Sequence, residues 1–532
     1  MTLSRRSILK NTLAAGALLC APNLARGEDR PAESHACDVL VYGSTPGGVA
    51  AAIEAARNGA RVILACPKKN PGGMSASGLC TTDAVRRHLF GGFVTEFVNE
   101  VRAWYVKNLG ENHPDFKLCH DGWYYEPSVA EAGFRALMQK YESLRFLPEN
   151  WLSAATVNNG RIEKVRLEGV AGKTIEIKAK TFIDGTYEGD LAAVAGAPCR
   201  VARESRQEFG ESLAGIHYMD FRSGKEIPTP QSGEASIAIQ AFCARSIITT
   251  DEEHRVPIQK PATYEQHLQD FLPLLQDFKS GRVKKLGSIL AMCPLPRKKV
   301  EINGHIEALT SINCPGISWA YPDAGRQMRV ELDRFHVDHV AGLMHFLQTE
   351  KQVPDEIASE ARRYGLHDQE FKDNQHWPWQ IYVRQGRRIV GREIITQHNF
   401  IVDPKTGRTP QVPHPVAMGE HSFDIHPCHD RRWAHKGFME GVLWYPSKSK
   451  GPAQPGQIPY GALLPKGIDN LLVPVAMSST HIAMSVLRME PVWMTTGQVA
   501  GLAAANALSS NSNVANIDPD VLPRKLNIKT QP

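Results

Sequence analysis

The sequence predicts an α/β protein with a Rossmann-like nucleotide-binding domain, built from N- and C-terminal segments around an inserted α+β domain. A strand–turn–helix–strand pattern occupies residues 38–65, and a later apolar strand ends in Asp184-Gly185. Near the C-terminus, residues 471–476 form another apolar run, and a helix rich in small residues follows at 491–506. Buried apolar strands that alternate with helices are typical of doubly wound parallel sheets.

The first of these units is a candidate cradle for the phosphates of a dinucleotide. Residues 38–42 are predicted to form a short strand, apolar from residue 39 onwards, that ends at Gly43, where the chain turns. Thr45 is suited to cap the next helix, and Pro46 takes the first helical position, where its missing N–H costs nothing. The glycines that follow are Gly47 and Gly48. The alternative is an ordinary βαβ unit whose glycines serve packing alone, because Thr45 replaces the middle glycine of the usual G-x-G-x-x-G pattern.

Composition excludes several classes of protein. The chain has 532 residues, 42% of them hydrophobic and 22% charged, which is typical of a globular protein that buries a large core. The formal charge is only +5 and no block of Lys and Arg stands out, so nucleic acid is not an expected partner. The ten cysteines include no CxxC pair, so their spacing predicts neither a zinc site nor a disulfide framework.

The N-terminus carries an export pattern. Residues 4–10, SRRSILK, contain a twin arginine, and the apolar stretch at 13–19 is too short for a stable membrane span. We therefore expect residues 1–27 to be a twin-arginine signal peptide cleaved near Ala25, and the protein to be periplasmic or otherwise exported. A chance arginine pair in a disordered tail is the alternative.

Motifs along both ends of the chain resemble the FAD-dependent oxidoreductase family. In chain order they are GSTPGG at 43–48, PGGMSASGL at 71–79, YEPSVAE at 125–131, FIDGTYEGDL at 182–191, RES to ESLAG at 203–215, PY to LLPKG at 459–467, NLLVPV at 470–475 and RMEPV at 488–492. Residues 225–370 match this family poorly. The resemblance implies a glutathione-reductase-like FAD fold and an oxidoreductase activity.

The resemblance also implies how the cofactor is held. A second glycine turn would meet the phosphates or the flavin edge, the Asp-Gly segment would lie beside the cofactor, and the N-terminus of the last helix would place its positive dipole end on the flavin pyrimidine. The cofactor residues that it implies are Gly43, Thr45, Pro46, Gly47, Gly48, Cys66, Gly72, Gly73, Met74, Asp184, Gly185, Val492 and Trp493.

One residue departs from the pattern of the family. Cys66 stands where relatives usually carry Glu, whose carboxylate accepts hydrogen bonds from the adenosine ribose. A thiol is a poor acceptor, so we expect this contact to be weakened or supplied by another residue. Lys68 and Lys69 follow directly and are assigned to a solvated loop.

Chain order divides the protein into five segments. The expected segments are the signal peptide at 1–27, the first part of the FAD-binding domain at 36–220, an inserted substrate domain at 221–455, the second part of the FAD-binding domain at 456–510 and a C-terminal tail at 511–532. The middle segment is richer in His, Trp and Pro and has longer irregular connections. We therefore expect the substrate to bind there.

Two groups in the middle segment are candidates for substrate contact. Asp424 and His426 lie in a histidine-rich stretch at 414–435 whose irregular spacing does not predict a metal site, so no metal is expected. A polar loop with surface histidines is the alternative. Trp377 and Trp379 precede several arginines, and aromatic faces beside charged donors suit a polyhydroxylated ligand such as a sugar. Core aromatics next to a solvated basic helix explain these residues as well.

A third group lies on the loop after the last apolar strand. His481 is a candidate general base, since oxidation of an alcohol requires an acceptor for the hydroxyl proton. Arg488 is a candidate for polarising an oxygen or binding a carboxylate, with Glu490 as its structural partner. A buried histidine with satisfied hydrogen bonds is the alternative for His481.

These observations predict an exported FAD-dependent oxidoreductase. His481, or alternatively His426, would act as the base while hydride passes from a polar organic substrate to FAD. A carbohydrate alcohol is one candidate substrate, and the final electron acceptor is unknown. The alternatives are a flavin-dependent lyase or glycoside-cleaving enzyme that oxidises its substrate transiently, and a non-catalytic binding protein on the same fold.

Overall fold

The computed structural model describes residues 33–445 and 451–531, and the twin-arginine segment lies outside these residues. The strands, in chain order, are β1 (Glu33–Ala36), β2 (Val39–Tyr42), β3 (Val62–Ala65), β4 (Leu144–Leu147), β5 (Trp151–Asn158), β6 (Arg161–Glu168), β7 (Thr174–Lys178), β8 (Thr181–Asp184), β9 (Cys199–Arg200), β10 (Met219–Asp220), β11 (Lys225–Glu226), β12 (Ser246–Thr249), β13 (Arg255–Val256), β14 (Leu290–Leu295), β15 (Lys299–Gly304), β16 (Gly365–His367), β17 (Arg388–Ile389), β18 (Pro415–Gly419), β19 (Gly456–Pro459) and β20 (Leu471–Leu472). The helices are α1 (Pro46–Arg57), α2 (Gly92–Asn108), α3 (Pro127–Gln139), α4 (Asp190–Val194), α5 (Arg206–Phe209), α6 (Tyr264–Phe271), α7 (Leu274–Lys279), α8 (Arg326–Thr349), α9 (Asp355–Arg362), α10 (His481–Leu487), α11 (Glu490–Ser509) and α12 (Val521–Leu526).

A five-stranded parallel sheet organises the two ends of the chain. Its strand order is β20-β8-β2-β3-β4, and every neighbouring pair is parallel. Its strands β2, β3 and β8 are fully buried, which explains their continuous apolar sequence. The α/β class and the parallel sheet expected from the sequence are confirmed. The last strand is shorter than expected, because only Leu471–Leu472 pair with β8.

Helices α1 and α11 pack directly against each other, although they lie at opposite ends of the sequence. Small residues permit this close approach: a side chain at Gly497 would come within 2.0 Å of the Gly47 carbonyl oxygen. A buried hydrogen bond of 2.8 Å from Gln498 Nε2 to Glu54 Oε2 adds a polar link between the helices. The N- and C-terminal segments thus form one structural unit.

A second sheet is attached to this unit. Its order is β1-β7-β6-β5, with antiparallel pairing of β5, β6 and β7. Asn470 joins it to the parallel sheet, since its side chain accepts a hydrogen bond from Ile162 N and donates to the carbonyl oxygens of Ile162 and Lys180, at 2.9 to 3.1 Å.

The middle of the chain contains a separate antiparallel sheet of order β13-β16-β12-β15-β14 together with the long helix α8. Ion pairs connect this region to the parallel-sheet unit: Arg329 of α8 contacts both carboxylate oxygens of Asp190 at 2.6 and 2.7 Å. A search of the described residues for helices long and apolar enough to cross a bilayer finds none.

Candidate functional site

A cleft with about 450 Å³ of space, part of it open to solvent, lies at the carboxyl ends of β2, β3 and β8. Its walls include Gly43, Thr45, Cys66, Gly73 and Glu188. In open α/β sheets, ligands bind in the crevice at the carboxyl ends of the strands. The cleft is therefore the natural position for a dinucleotide.

The first glycine turn is shaped by backbone crowding. Gly43 has φ +102°, and a side chain there would lie 2.6 Å from the carbonyl carbon of Gly185. A side chain at Gly48 would lie 1.9 Å from the Gly43 carbonyl oxygen. Thr45 caps α1 as predicted: its hydroxyl accepts from Gly48 N at 3.1 Å and donates to Gly185 O at 2.6 Å. The N-terminus of α1, with Pro46 as its first residue, is thus fixed at the edge of the cleft.

The second glycine turn packs against the first. Gly72 and Gly73 have φ values of +100° and +49°, and Gly72 N donates to Ser44 O at 2.8 Å. Met74 N donates to the hydroxyl of Tyr187 at 2.9 Å. The two turns therefore form one continuous lining for the cleft.

Asp184 holds the backbone turn that follows β8 in place. Its carboxylate accepts from Thr186 N at 3.0 Å, from Thr186 Oγ1 at 2.7 Å and from Ala192 N at 2.9 Å. Burial raises the pKa of Asp184 to about 6, although these hydrogen bonds oppose the shift. Asp184 thereby holds the Gly185 turn, which contacts Gly43, and it positions the cleft through its backbone.

Cys66 lies in the wall of the cleft and is 4% exposed. Its Sγ accepts a hydrogen bond from Lys68 N at 3.3 Å, and burial raises the pKa of the thiol. The cleft therefore has a neutral thiol at this position. Lys68 forms an ion pair with Asp333 at 2.7 Å, and its side chain is largely buried, unlike the solvated side chain expected from the sequence.

A buried acid lies at the N-terminus of α11. Glu490 accepts a hydrogen bond from the hydroxyl of Tyr187 at 2.6 Å, and burial raises the pKa of Glu490 to about 8. Its Oε2 and the Trp493 Nε1 are both buried without a hydrogen-bond partner among the described residues, and Val492 between them is fully buried. Sequence analysis missed Tyr187 in this role, because its contact with Glu490 spans 303 residues of sequence.

His481 begins α10 at the end of the loop after β20, and its side chain is buried. Its backbone N–H donates to Glu204 at 2.9 Å, but neither ring nitrogen has a hydrogen-bond partner among the described residues. Burial lowers the pKa of His481 well below its usual range, and the positive charges of Arg203 and Arg388 act in the same direction. His481 is therefore a neutral imidazole.

Arg488 contacts Asp424 and lies near His426. Its Nη2 donates to the Asp424 carbonyl oxygen at 2.9 Å and lies 3.3 Å from Asp424 Oδ2, and its Nη1 donates to Tyr382 at 3.2 Å. His426 Nε2 is 3.9 Å from Asp424 Oδ1. The structure thus brings these three predicted residues together. The expectation that Glu490 partners Arg488 is wrong: in the fold Glu490 faces Tyr187.

The two predicted tryptophans lie beside a groove next to the cleft. Trp379 contributes to both cavities, whereas Trp377 lines only the groove, which has about 1560 Å³ of space that includes open solvent. Trp379 Nε1 donates to Asp373 at 2.8 Å, and Phe371 packs on its ring edge-to-face. Both tryptophans are partly exposed and available to a ligand.

The histidine-rich stretch is dispersed in the fold. His414 is exposed and pairs with Asp520 at 2.9 Å, while His426 is buried. A different group, His267, Asp270 and His339 from α6 and α8, places its ligand atoms within 4.8 Å of one another. These three side chains could hold a metal ion, a juxtaposition that spacing in the sequence did not reveal because it joins two separate helices.

Comparison with known proteins identifies one family. The model of the family described as FAD dependent oxidoreductase matches residues 38–526. No curated protein matches the chain. Among solved structures, a geranylgeranyl bacteriochlorophyll reductase-like protein from Thermoplasma acidophilum is 12% identical, with 93% of this chain and 82% of that chain covered and a TM-score of 0.35. The L-proline dehydrogenase from P. horikoshii is 15% identical over 35% of this chain and 27% of its own, with a TM-score of 0.19.

The p-nitrophenol 4-monooxygenase from Pseudomonas putida is 13% identical, covering 36% of this chain and 49% of its own, with a TM-score of 0.20. The chain thus spans less than half of the length of the dehydrogenase and of the monooxygenase. The match to the family model, which extends over most of the chain, carries the family assignment.

Proposed function

The chain belongs to the FAD dependent oxidoreductase family and its cofactor is FAD, and from this premise we propose that it oxidises a polar organic substrate. The proposed reaction removes a hydride from a carbon that bears a hydroxyl group. When bound, FAD supplies the two-electron acceptor for that hydride. A carbohydrate alcohol is one candidate substrate, and the twin arginine at residues 5–6 supports the proposal that the protein acts after export.

The residues around the cleft fit a flavin dinucleotide. The N-terminus of α1 lies at the edge of the cleft, so its positive dipole end would face a bound pyrophosphate. Glu490 Oε2 and Trp493 Nε1 are buried polar atoms without hydrogen-bond partners among the described residues, and Glu490 contacts Tyr187, which lines the cleft. Cys66 leaves the ribose without a carboxylate partner at the end of β3, and Glu188, which is buried in the same wall, can supply one.

His481 is the side chain that we assign as the base. The observation that carries this assignment is a neutral, buried imidazole whose two nitrogens have no hydrogen-bond partner among the described residues. Such a nitrogen can accept the hydroxyl proton of a substrate as the hydride leaves. His426 is less suited to this role, because its Nδ1 already contacts the Asn313 amide at 3.3 Å.

The groove beside Trp377 and Trp379 favours a polar substrate that is larger than a simple alcohol. Charged side chains from α8, including Arg334 and Asp338, share its walls with the two aromatic rings. Stacking on an aromatic face and hydrogen bonding to charged groups are the contacts that a sugar ring requires. We place the part of the substrate that does not react in this groove.

The test is reduction of the bound flavin under anaerobic conditions. The holoprotein is mixed with a panel of polyols, sugars and hydroxy acids, and the absorbance of oxidised flavin is followed. We expect a reactive substrate to bleach the flavin, and His481→Gln to slow bleaching by about 10²- to 10⁴-fold with unchanged flavin content. The exposed His414→Gln serves as the matched control. Cleavage of a substrate without net reduction of an artificial electron acceptor would instead support a flavin-dependent lyase.

A further inference from the structure

We infer that the substrate carries a carboxylate, and that Arg384 binds it with the help of Arg245 and Arg488. This inference rests on the proposed function, because it concerns the substrate of the same site. It follows from how the three guanidinium groups are placed around Tyr382 and from which of them lacks a countercharge.

The arginines converge on one buried ring. The guanidinium carbons of Arg245 and Arg384 lie 4.6 and 4.7 Å from the centre of the Tyr382 ring, and Arg488 Nη1 donates to the Tyr382 hydroxyl at 3.2 Å. All three arginines are at most 5% exposed. Cation–π contacts of this kind hold guanidinium groups in place but do not neutralise them.

Two of the three arginines have countercharges. Glu301 lies 2.7 Å from Arg245 Nε, and Asp83 adds a further negative charge near Arg245. Asp424 lies 3.3 Å from Arg488. Burial raises the pKa of Glu301 to about 7, so part of this negative charge is lost at neutral pH.

Arg384 has no carboxylate partner among the described residues. It donates to the Ala241 carbonyl oxygen, to Cys243 Sγ at 3.5 Å and to Asn303 Oδ1 at 3.2 Å, which are all neutral acceptors. It is fully buried, and burial lowers its pKa, with Arg488 and Arg245 acting in the same direction. Buried charges are normally paired, so a fully buried guanidinium beside neutral groups alone implies an anion that arrives with the ligand.

Each arginine also has spare donors. Arg384 Nε, Arg245 Nη1 and Arg488 Nε are buried without a hydrogen-bond partner among the described residues. Guanidinium donors match the two oxygens of a carboxylate, and the pairing is stronger than with a neutral acceptor.

The cluster is adjacent to the proposed chemistry. Arg488 is the C-terminal cap of α10, the short helix that begins with the proposed base His481. Burial lowers the pKa of His426 well below its usual range, and the positive charges of Arg384, Arg488 and Arg245 act in the same direction. A carboxylate bound there would anchor the substrate where α10 connects the cluster to the proposed base.

The test compares an acid with its neutral counterpart on the holoprotein. Glucuronate and malonate are the anionic probes and glucose is the neutral one, and binding is read from the perturbation of the flavin absorbance. We expect Arg384→Met to weaken binding of glucuronate and malonate by about 100-fold and to leave glucose binding unchanged. Arg384→Lys keeps the buried positive charge but loses the paired guanidinium donors, so it should bind the acids with intermediate affinity. It also provides a second variant if Arg384→Met does not fold.

Arg392→Met is the matched control, because Arg392 is partly exposed and lies 3.6 Å from Asp469. Unchanged acid binding in the Arg384 variants, or glucose bound as tightly as glucuronate by the wild type, would overturn the inference. Acid binding that depends on Arg384 without any flavin reduction supports the carboxylate site and contradicts the proposed oxidation. Flavin reduction by neutral polyols alone supports the oxidation and overturns the carboxylate site.

Discussion

The replacement Glu490→Gln should remove a pH dependence of stability that the wild-type protein carries. Glu490 is 1% exposed, and its pKa is raised from 4.5 to about 8 because burial penalises the carboxylate. Between these values the unfolded chain has released the proton and the native protein retains it. Stability therefore falls as the pH rises through this window, and a neutral amide does not contribute to that fall.

The size of the effect follows from the pKa interval. Each pH unit between 4.5 and about 8 corresponds to about 1.4 kcal/mol, so the full window is worth about 5 kcal/mol. Glutamine has the same shape and can still accept the hydrogen bond from Tyr187, so the packing around residue 490 is preserved. We expect Glu490→Gln to gain about 3 kcal/mol of unfolding free energy relative to the wild type between pH 5.5 and 7.5.

Urea denaturation of both proteins across this pH range measures the difference directly. The wild type also contains Glu188 and Glu301, whose pKa values burial raises to about 7, but their contributions cancel in the comparison. Glu265→Gln is the control, because Glu265 is exposed. A difference between Glu490→Gln and the wild type that does not change with pH would refute the reasoning.

Three further predictions concern the cleft and the base. Gly43→Ala should abolish stable flavin binding, because Gly43 has φ +102° and a Cβ there would lie 2.6 Å from Gly185. Gly59→Ala is the control and should retain the flavin, because Gly59 has a similar φ of +86° but lies in open space. The flavin content of the two purified proteins tests both expectations. Thr45→Val should lower the stability of the protein by about 1 kcal/mol through loss of the α1 cap, measured by urea denaturation, and a stability equal to the wild type would contradict the capping role. The acid limb of the kcat/KM profile should lie well below pH 6.5, because burial lowers the pKa of His481, and a limb at 6.5 or above would exclude His481 as the base.

Local features of the fold were predictable because local physics determines them. The apolar runs of β2, β3 and β8 and the cap of α1 by Thr45 each depend on residues close in sequence. The parallel pairing follows because a helix connects β2 to β3.

The candidate site was predictable only in part, because its contacts join distant segments. His481 could be proposed as a base from its loop position, but only the fold shows that its ring is buried near Arg203 and Arg388 and has no hydrogen-bond partner among the described residues. Arg384 appeared in the sequence as one member of a basic run, and only the fold shows that it is buried against Tyr382 and Cys243. The prediction that Glu490 pairs with Arg488 was wrong because the two side chains point in different directions at the beginning of α11. Arg488 contacts Asp424, whereas Glu490 contacts Tyr187.

Anaerobic flavin reduction by hydroxy acids tests the central claim most directly. The holoprotein is mixed with glucuronate and other hydroxyl-bearing carboxylates, and the oxidised-flavin absorbance is recorded for the wild type and for His481→Gln. The account predicts bleaching in the wild type and a rate lower by about 10²- to 10⁴-fold in the variant, with equal flavin content. A purified protein that gains no flavin spectrum when incubated with FAD, or a flavin reduced equally fast in both proteins, would contradict it.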